Sequence, residues 1–276
     1  MDFVFRRSYR GPLKAIIVDW AGTVIDYGSL GPVAAFREVF SRHNVPITMD
    51  EAREPMGMHK KAHIRMLTEM PSVRKRWVET HQSEPSDEDI EQLYREMVPV
   101  QVQCLERHSD LIPGTLEACR EFRARRLKIG STTGYTRVMM EAVIAQARER
   151  GFQPDTTITA DQVPAGRPAP WMCLQAAMNL QTYPMEAVVK VGDTIPDIQE
   201  GLNASMWTIG VAKTGNEMGL SQREVEALPS DLREEKLQRS RERLYQAGAH
   251  YVVDGIGDLP RLLNEINARL AVGERP

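Results

Sequence analysis

The chain has 276 residues, of which 42% are hydrophobic and 26% charged, and its 35 basic against 38 acidic residues give a formal net charge of −3. That length holds one large domain or a core with a smaller attachment. The near balance of charge gives no reason to expect a nucleic-acid or membrane-surface partner and leaves small anionic substrates open, since a site's local field can differ from the global charge.

The opening stretch MDFVFRRSYRGPLK carries arginines but neither the apolar run nor the small-residue cleavage site of a signal peptide, and no stretch approaches the ~20 apolar residues of a membrane helix, so the expected location is the cytoplasm. Ala15 to Val18 is a short apolar run that stops at Asp19 before a Gly/Thr turn, the pattern of a buried parallel strand presenting Asp19 at its carboxyl end. From about Leu30 to Gln103 the pattern turns helical (Val33 to His43, His59 to Met70, Asp87 to Met97) with no strand. This stretch reads as a helical cap domain over residues 30–103, inserted between the parts of a core formed by residues 1–29 and 104–276. Its apolar faces, with Val33, Phe36 and Phe40, either pack internally or form a dimer interface.

Strand-like runs then recur. Leu127 to Gly130 ends at Ser131-Thr132-Thr133-Gly134, and Thr156 to Thr159 is weaker. Ala187 to Val191 ends at Gly192-Asp193, Met206 to Val211 ends near Lys213, and Tyr251 to Val253 comes last. Helical stretches at about Thr115 to Arg125, Arg137 to Glu149, Trp171 to Asn179 and Pro196 to Gly201 separate most of them. The alternation predicts an α/β fold, a doubly wound parallel (Rossmann-like) sheet. Ligands bind beyond the carboxyl ends of such strands, so Asp19, Thr133 and Asp193 should converge. Gln222 to Arg243 alternates in charge sign and reads as solvated helix. Cys104, Cys119 and Cys173 form no CxxC pair and are expected to be reduced and structural.

Carboxylates at neighbouring strand ends, Asp19 and Asp193 with Asp197 nearby, repel unless a cation lies between them. Hard oxygen ligands suit Mg²⁺, which would keep Asp19 ionised and neutralise an incoming anion. Arg167, in the Pro-rich GRPAPW segment, is either a structural arginine or a guanidinium fork for phosphoryl oxygens. In MGMHKKAH, Lys60 shares a helix face with His63 and lies near Met56, while Lys61 is rotated by roughly 100°.

DWAGTV, STTGY, GRPAPW and GDTIPD, in that order, resemble the four motifs of the haloacid-dehalogenase-like superfamily. The resemblance implies that Asp19 is both nucleophile and metal ligand and that Thr133, with the N–H groups around Gly134, binds the transferred group. It also implies that Arg167 fills the basic position and that Asp193 ligates magnesium with Asp197 in support. Superfamily members acting on phosphate esters usually carry a second Asp two positions after the nucleophile, as general acid. Here that position is Ala21, which offers a metal only its main-chain carbonyl. Without that acid the chain either leaves a poor oxygen leaving group unprotonated or cleaves a bond whose leaving group is made good another way; a carbon leaving group needs an electron sink, which a lysine imine supplies.

With Ala21 and Lys60 together, DWAGTVIDYG, MGMHKKAH, KIGSTTGYTR, PAGRPAPWMC and KVGDTIPDIQEG resemble the phosphonoacetaldehyde hydrolases of that superfamily over nearly the whole chain. The position after Tyr27-Gly28, which varies in that family, is Ser29 here. The resemblance implies a Lys60 Schiff base with phosphonoacetaldehyde, proton transfer assisted by His63, a pocket lined by Met56 and bordered by Tyr135, and a homodimer. It also implies a place in 2-aminoethylphosphonate degradation. A phosphate-monoester phosphatase with a substitute acid, a metal-free dehalogenase and a non-catalytic binding member are the alternatives.

Overall fold

The computed structural model describes residues 8–276, so the first seven positions of the opening stretch lie outside the described residues. In chain order the elements are β1 (Ala15–Val18), α1 (Leu30–Arg42), α2 (Met49–Arg53), α3 (Lys60–Glu69), α4 (Pro71–His81), α5 (Asp87–Arg107), α6 (Thr115–Ala124), β2 (Lys128–Thr133) and α7 (Arg137–Glu149). They continue with β3 (Thr156–Thr159), α8 (Trp171–Asn179), β4 (Val188–Gly192), α9 (Ile195–Asn203), β5 (Trp207–Val211), α10 (Gln222–Ala227), α11 (Ser230–Gln246), β6 (Tyr251–Val253) and α12 (Leu259–Ala271).

The six strands form one parallel sheet in the order β3-β2-β1-β4-β5-β6. Alternation along β1 explains why it needs cover on both sides. Ile16 and Val18 join the apolar cluster on one face, with Trp207, Leu263 and Ile266. Ala15 and Ile17 join the other, with Met172, Ala176 and Met206. The strand order reverses direction between β1 and β4, and the crevice at such a switch point opens beyond the carboxyl ends. Val18 pairs with Ser131 on one side and Val191 on the other, which sets Asp19 between the ends of β2 and β4.

β2 reaches Thr133, so Ser131, Thr132 and Thr133 lie within the strand and not in a loop after it. Threonine is β-branched and fits a pleated strand, and the Ser131 hydroxyl is 2.8 Å from that of Thr157 on β3. The helices α1 to α5 enclose an apolar cluster of their own, in which Val33, Phe36, Val39, Phe40, Ile64, Leu67, Trp77 and Met97 are buried. Val33, Phe36 and Phe40 therefore pack internally. α5 opens with a capping box between Ser86 and Asp89 and an acidic first turn, both favourable at a helix N-terminus, and runs through Pro99 to Arg107. Among the described residues no helix is long and apolar enough to cross a membrane.

Candidate active site

The turn after β1 is built by the Trp20 carbonyl, which accepts from the N–H groups of Thr23, Val24 and Ile25. Gly22 sits in this turn at φ 81°, and a Cβ there would stand 2.1 Å from Asp193 Oδ2. Only glycine tolerates both that backbone and that approach. Across the switch point, β4 ends at Gly192 and Asp193 follows. Thr194 then caps α9: its hydroxyl is 2.6 Å from Asp197 Oδ2, and Asp197 sits at the third helical position. The GDTIPD segment is thus a strand end, a capping box and a first-turn proline in succession.

These two ends bring oxygen atoms of Asp19, Asp193 and Asp197 within 4.8 Å of one another. Beneath them lies a buried ionic cluster. Arg167 donates from Nε to Glu200 Oε2 at 2.9 Å and from Nη2 to Asp19 Oδ1 at 2.7 Å, the Thr132 carbonyl at 3.0 Å and the Thr132 hydroxyl at 2.8 Å. Its Nη1 is 3.0 Å from Asp197 Oδ1. Lys190, central in β4, places Nζ 2.8 Å from Asp197 Oδ1, 3.2 Å from Glu200 Oε2 and 2.9 Å from the Thr132 hydroxyl. Arg167 is therefore turned toward the carboxylates and anchored from behind by Glu200.

The charges in this cluster do not balance. Two cations, Arg167 and Lys190, face four buried carboxylates, Asp19, Asp193, Asp197 and Glu200, leaving two formal negative charges. Burial pushes the Asp19 carboxyl up to about 6, and Asp197 pushes the same way against Arg167 and Lys190. Asp193 is driven well above the carboxylate range by burial and by Asp19 and Asp197; Asn216 N–H, 2.7 Å from its Oδ2, opposes this. Asp197 is different: although burial opposes it, Arg167 and Lys190 hold its carboxyl low. Its two oxygens are already engaged, Oδ1 by those cations and Oδ2 by Thr194. A divalent cation would match the deficit in both sign and size, and Asp19 and Asp193 are the carboxylates free to take it.

A small cavity opens on this cluster. Asp19, Ala21, Thr133, Gly134, Tyr135, Arg167 and Asp193 border it from the sheet side. Ser29, Pro32, Met56, Gly57 and Lys60 border it from the helical side. The two sides meet closely: a Cβ on Gly134 would lie 2.8 Å from the Met58 carbonyl, and one on Gly57 would lie 2.2 Å from the Thr194 hydroxyl.

Lys60 begins α3, with His59 as its cap, and its side chain is buried. Nζ sits 4.6 Å from the centroid of the Tyr135 ring and 5.2 Å from that of Phe36. Burial brings its ammonium down to about 7, Arg167 acting in the same direction and Asp19 against it. Lys61 turns away to pair with Glu91 on the surface. Of the two lysines, the one in the cavity is Lys60.

His63 lies one turn along α3, stacked on Phe36 at 3.7 Å between centroids, and does not line the cavity. Its Nε2 is 3.1 Å from the Ala52 carbonyl, which can only accept. Nε2 thus carries the proton, and a ring held neutral by burial keeps its lone pair on Nδ1, which has no partner. The Tyr135 hydroxyl is likewise buried and unpartnered. Among the described residues the one group of three or more His, Cys, Asp or Glu side chains with metal-holding spacing is Asp19, Asp193 and Asp197.

Lys190, Glu200 and Thr132 were not singled out in the sequence, although a lysine inside the apolar run VVKVG is a signal, because a charge there must find a buried partner. Ser29 and Pro32 gave no such signal.

A doubly wound parallel sheet with an acidic cluster at its switch point is an architecture for which a hydrolase family model is known. The model for haloacid dehalogenase-like hydrolases matches residues 13–205, and the chain belongs to that family. Within it, the chain is 47% identical over 276 residues to a "phosphonoacetaldehyde hydrolase-like protein" of Syntrophobacter fumaroxidans, covering 99% of each. It is 46% identical over 274 residues to a phosphonoacetaldehyde hydrolase of the same organism, again covering 99% of each. The crystal structure of a phosphonoacetaldehyde hydrolase-like protein from Oleispira antarctica superposes with a TM-score of 0.98 at 40% identity, covering 100% of both chains. The resemblance seen in five segments thus extends over the full length.

Proposed function

We propose that the protein cleaves the C–P bond of phosphonoacetaldehyde to acetaldehyde and phosphate. The observation that carries this reading is a buried amine, Lys60, in the same cavity as Asp19, with Ala21 where an ester hydrolase would need its acid. Relatives named phosphonoacetaldehyde hydrolase, at 44–46% identity over nearly the whole chain, support the same reading.

Lys60 Nζ, partly neutral near neutral pH, attacks the aldehyde carbon; loss of water leaves a protonated imine. An Asp19 oxygen attacks phosphorus while Arg167 holds Oδ1 in place. The C–P electron pair moves to the departing carbon and is delocalised onto the imine nitrogen as an enamine. Protonation at carbon and hydrolysis of the resulting imine free acetaldehyde and restore Lys60. Water attacks the aspartyl phosphate, releasing phosphate and restoring Asp19. The sum consumes one water. Thr133 and the N–H groups near Gly134 receive the phosphoryl oxygens, and Nδ1 of His63 is a base available to the proton transfers. Asp19, Asp193 and the Ala21 carbonyl would hold Mg²⁺, whose charge would neutralise the phosphoryl oxygens.

In this reading the helices of residues 30–103 act as a cap over a core of residues 1–29 and 104–276, excluding water from the imine. The enzyme would work in the cytoplasm as a homodimer, in 2-aminoethylphosphonate degradation. The test is a magnesium-dependent assay of acetaldehyde and phosphate with the wild type beside Asp19→Ala and Lys60→Ala. Turnover of generic phosphate esters that survives Lys60→Ala would favour a phosphatase instead.

A further inference from the structure

The reactive groups sit on two units joined by two chain crossings, so something must fix how the units close. The first crossing is a run of left-handed residues, Asp26 at φ 55°, Gly28 at 86° and Ser29 at 49°. Such a run is set by its contacts. The Asp26 carboxylate accepts from the N–H groups of Leu30 at 3.0 Å and Gly31 at 2.9 Å. Arg53, the last residue of α2, reaches across: Nη1 donates to the Gly28 carbonyl at 2.9 Å and to Asn216 Oδ1 at 3.1 Å, and Nη2 donates to the Gly219 carbonyl at 2.9 Å. Asn216 returns a bond from Nδ2 to the Arg53 carbonyl at 3.3 Å. One guanidinium thus grips the crossing and the loop that follows β5, and that loop in turn holds the end of α2 through the Asn216 amide.

Both ends of this grip lead to the chemistry. The main-chain N–H of Asn216 donates to Asp193 Oδ2 at 2.7 Å. The residue before Arg53 is Ala52, whose carbonyl is 3.1 Å from His63 Nε2, one turn from Lys60. A second tie runs parallel. Arg243 of α11 lies 2.9 Å from Glu217 beside Asn216 and 3.3 Å from Glu54 beside Arg53.

We propose that Arg53 is the catch that latches the cap onto the loop at 214–219, and is thereby a positioning residue that fixes Lys60 relative to Asp193. The kinetic half of this inference rests on the function proposed above; the latch itself does not. A residue that only stabilised the fold would, when replaced, lower the amount of active protein and so kcat, leaving KM alone. A catch sets the fraction of molecules closed and ready to bind, so its loss raises KM.

The experiment takes the full chain, wild type against Arg53→Gln, and measures amide exchange without substrate. Losing charged hydrogen bonds to two carbonyls and an amide should speed exchange at 26–30 and 214–219 by about 10- to 100-fold, with β1 and β4 unchanged. With phosphonoacetaldehyde, KM should rise by about the same factor and kcat change only a few-fold. Arg53→Lys, a point charge without the fork, should fall between the two. If Arg53→Gln does not fold, Asn216→Ala carries the same readouts, since it keeps the N–H to Asp193. Unchanged exchange in both segments, or loss of protection spread through the sheet, would overturn the catch. A wild type that does not turn over phosphonoacetaldehyde would refute the proposed function, while the exchange contrast still decides the latch.

Discussion

Replacing Asp19 with Asn should move the titration of Lys60 to lower pH. The amine is brought from 10.5 to about 7 chiefly by burial, with Asp19 the one charge that opposes the shift. An ordinary lysine is neutral in roughly one molecule in 3,000 at pH 7, whereas one with a pKa near 7 is about half neutral, a gain of about a thousandfold in the form that attacks an aldehyde. In the proposed mechanism imine formation precedes attack on phosphorus, so it should survive Asp19→Asn and can be read alone, as the rate of covalent trapping of phosphonoacetaldehyde by cyanoborohydride. In the wild type this rate should rise about tenfold between about pH 6 and pH 8 and then level off. An unperturbed lysine would gain about a hundredfold over the same interval and keep rising. In Asp19→Asn the midpoint should fall by on the order of one unit, because a neighbouring carboxylate favours the ammonium. A wild-type midpoint near 10, or a midpoint that rises in Asp19→Asn, would refute this electrostatic picture of the site.

Magnesium should stabilise the protein in a pH-dependent way. The folded Asp19 carboxyl lies at about 6 against an ordinary 3.8, so the native state binds more protons between these values and stability falls as pH rises through that window, by roughly 2–3 kcal/mol. Thermal melts should show Mg²⁺ recovering stability at about pH 7.5 and doing little near pH 5, with the effect lost in Asp193→Asn; a pH-independent shift would count against the paired-carboxylate site. Glu200→Gln removes a buried charge facing Arg167 and Lys190 and should cost about 3 kcal/mol in urea unfolding as well as lowering kcat. Ala21→Asp puts an acid beside the leaving group. It should yield measurable phosphate-ester hydrolysis at the expense of C–P cleavage, checked with a chromogenic ester beside phosphonoacetaldehyde.

What the sequence reveals is what local physics decides. AIIV before Asp19 and VVKVG before Asp193 read as strand ends because buried parallel strands are short apolar runs, and the switch point then brings the two carboxylates together. GDTIPD reads the same way from its cap and proline. What stays hidden depends on distant partners. Helical periodicity separates Lys60 from Lys61 by an angle, but which lysine faces the cavity depends on the packing of α3, which buries Lys60 on one face with His63, Ile64 and Leu67 and leaves Lys61 to pair with Glu91 on the surface. Val33, Phe36 and Phe40 read equally as core or interface until α3 and α5 cover them. Lys190 and Glu200 meet only because β4 and α9 stack their side chains beneath Arg167, which comes from a separate loop. Arg53 carries no motif; its partners lie at Gly28, Asn216 and Gly219.

The requirement on which the proposed chemistry rests is that carbon leaves phosphorus through an imine on one lysine. Trapping with borohydride in the presence of phosphonoacetaldehyde, followed by peptide mass mapping, tests it most directly. The imine route requires a two-carbon adduct on Lys60, with Lys60→Met losing both the adduct and phosphate release. An adduct on Lys61, or undiminished phosphate release by Lys60→Met, would contradict it.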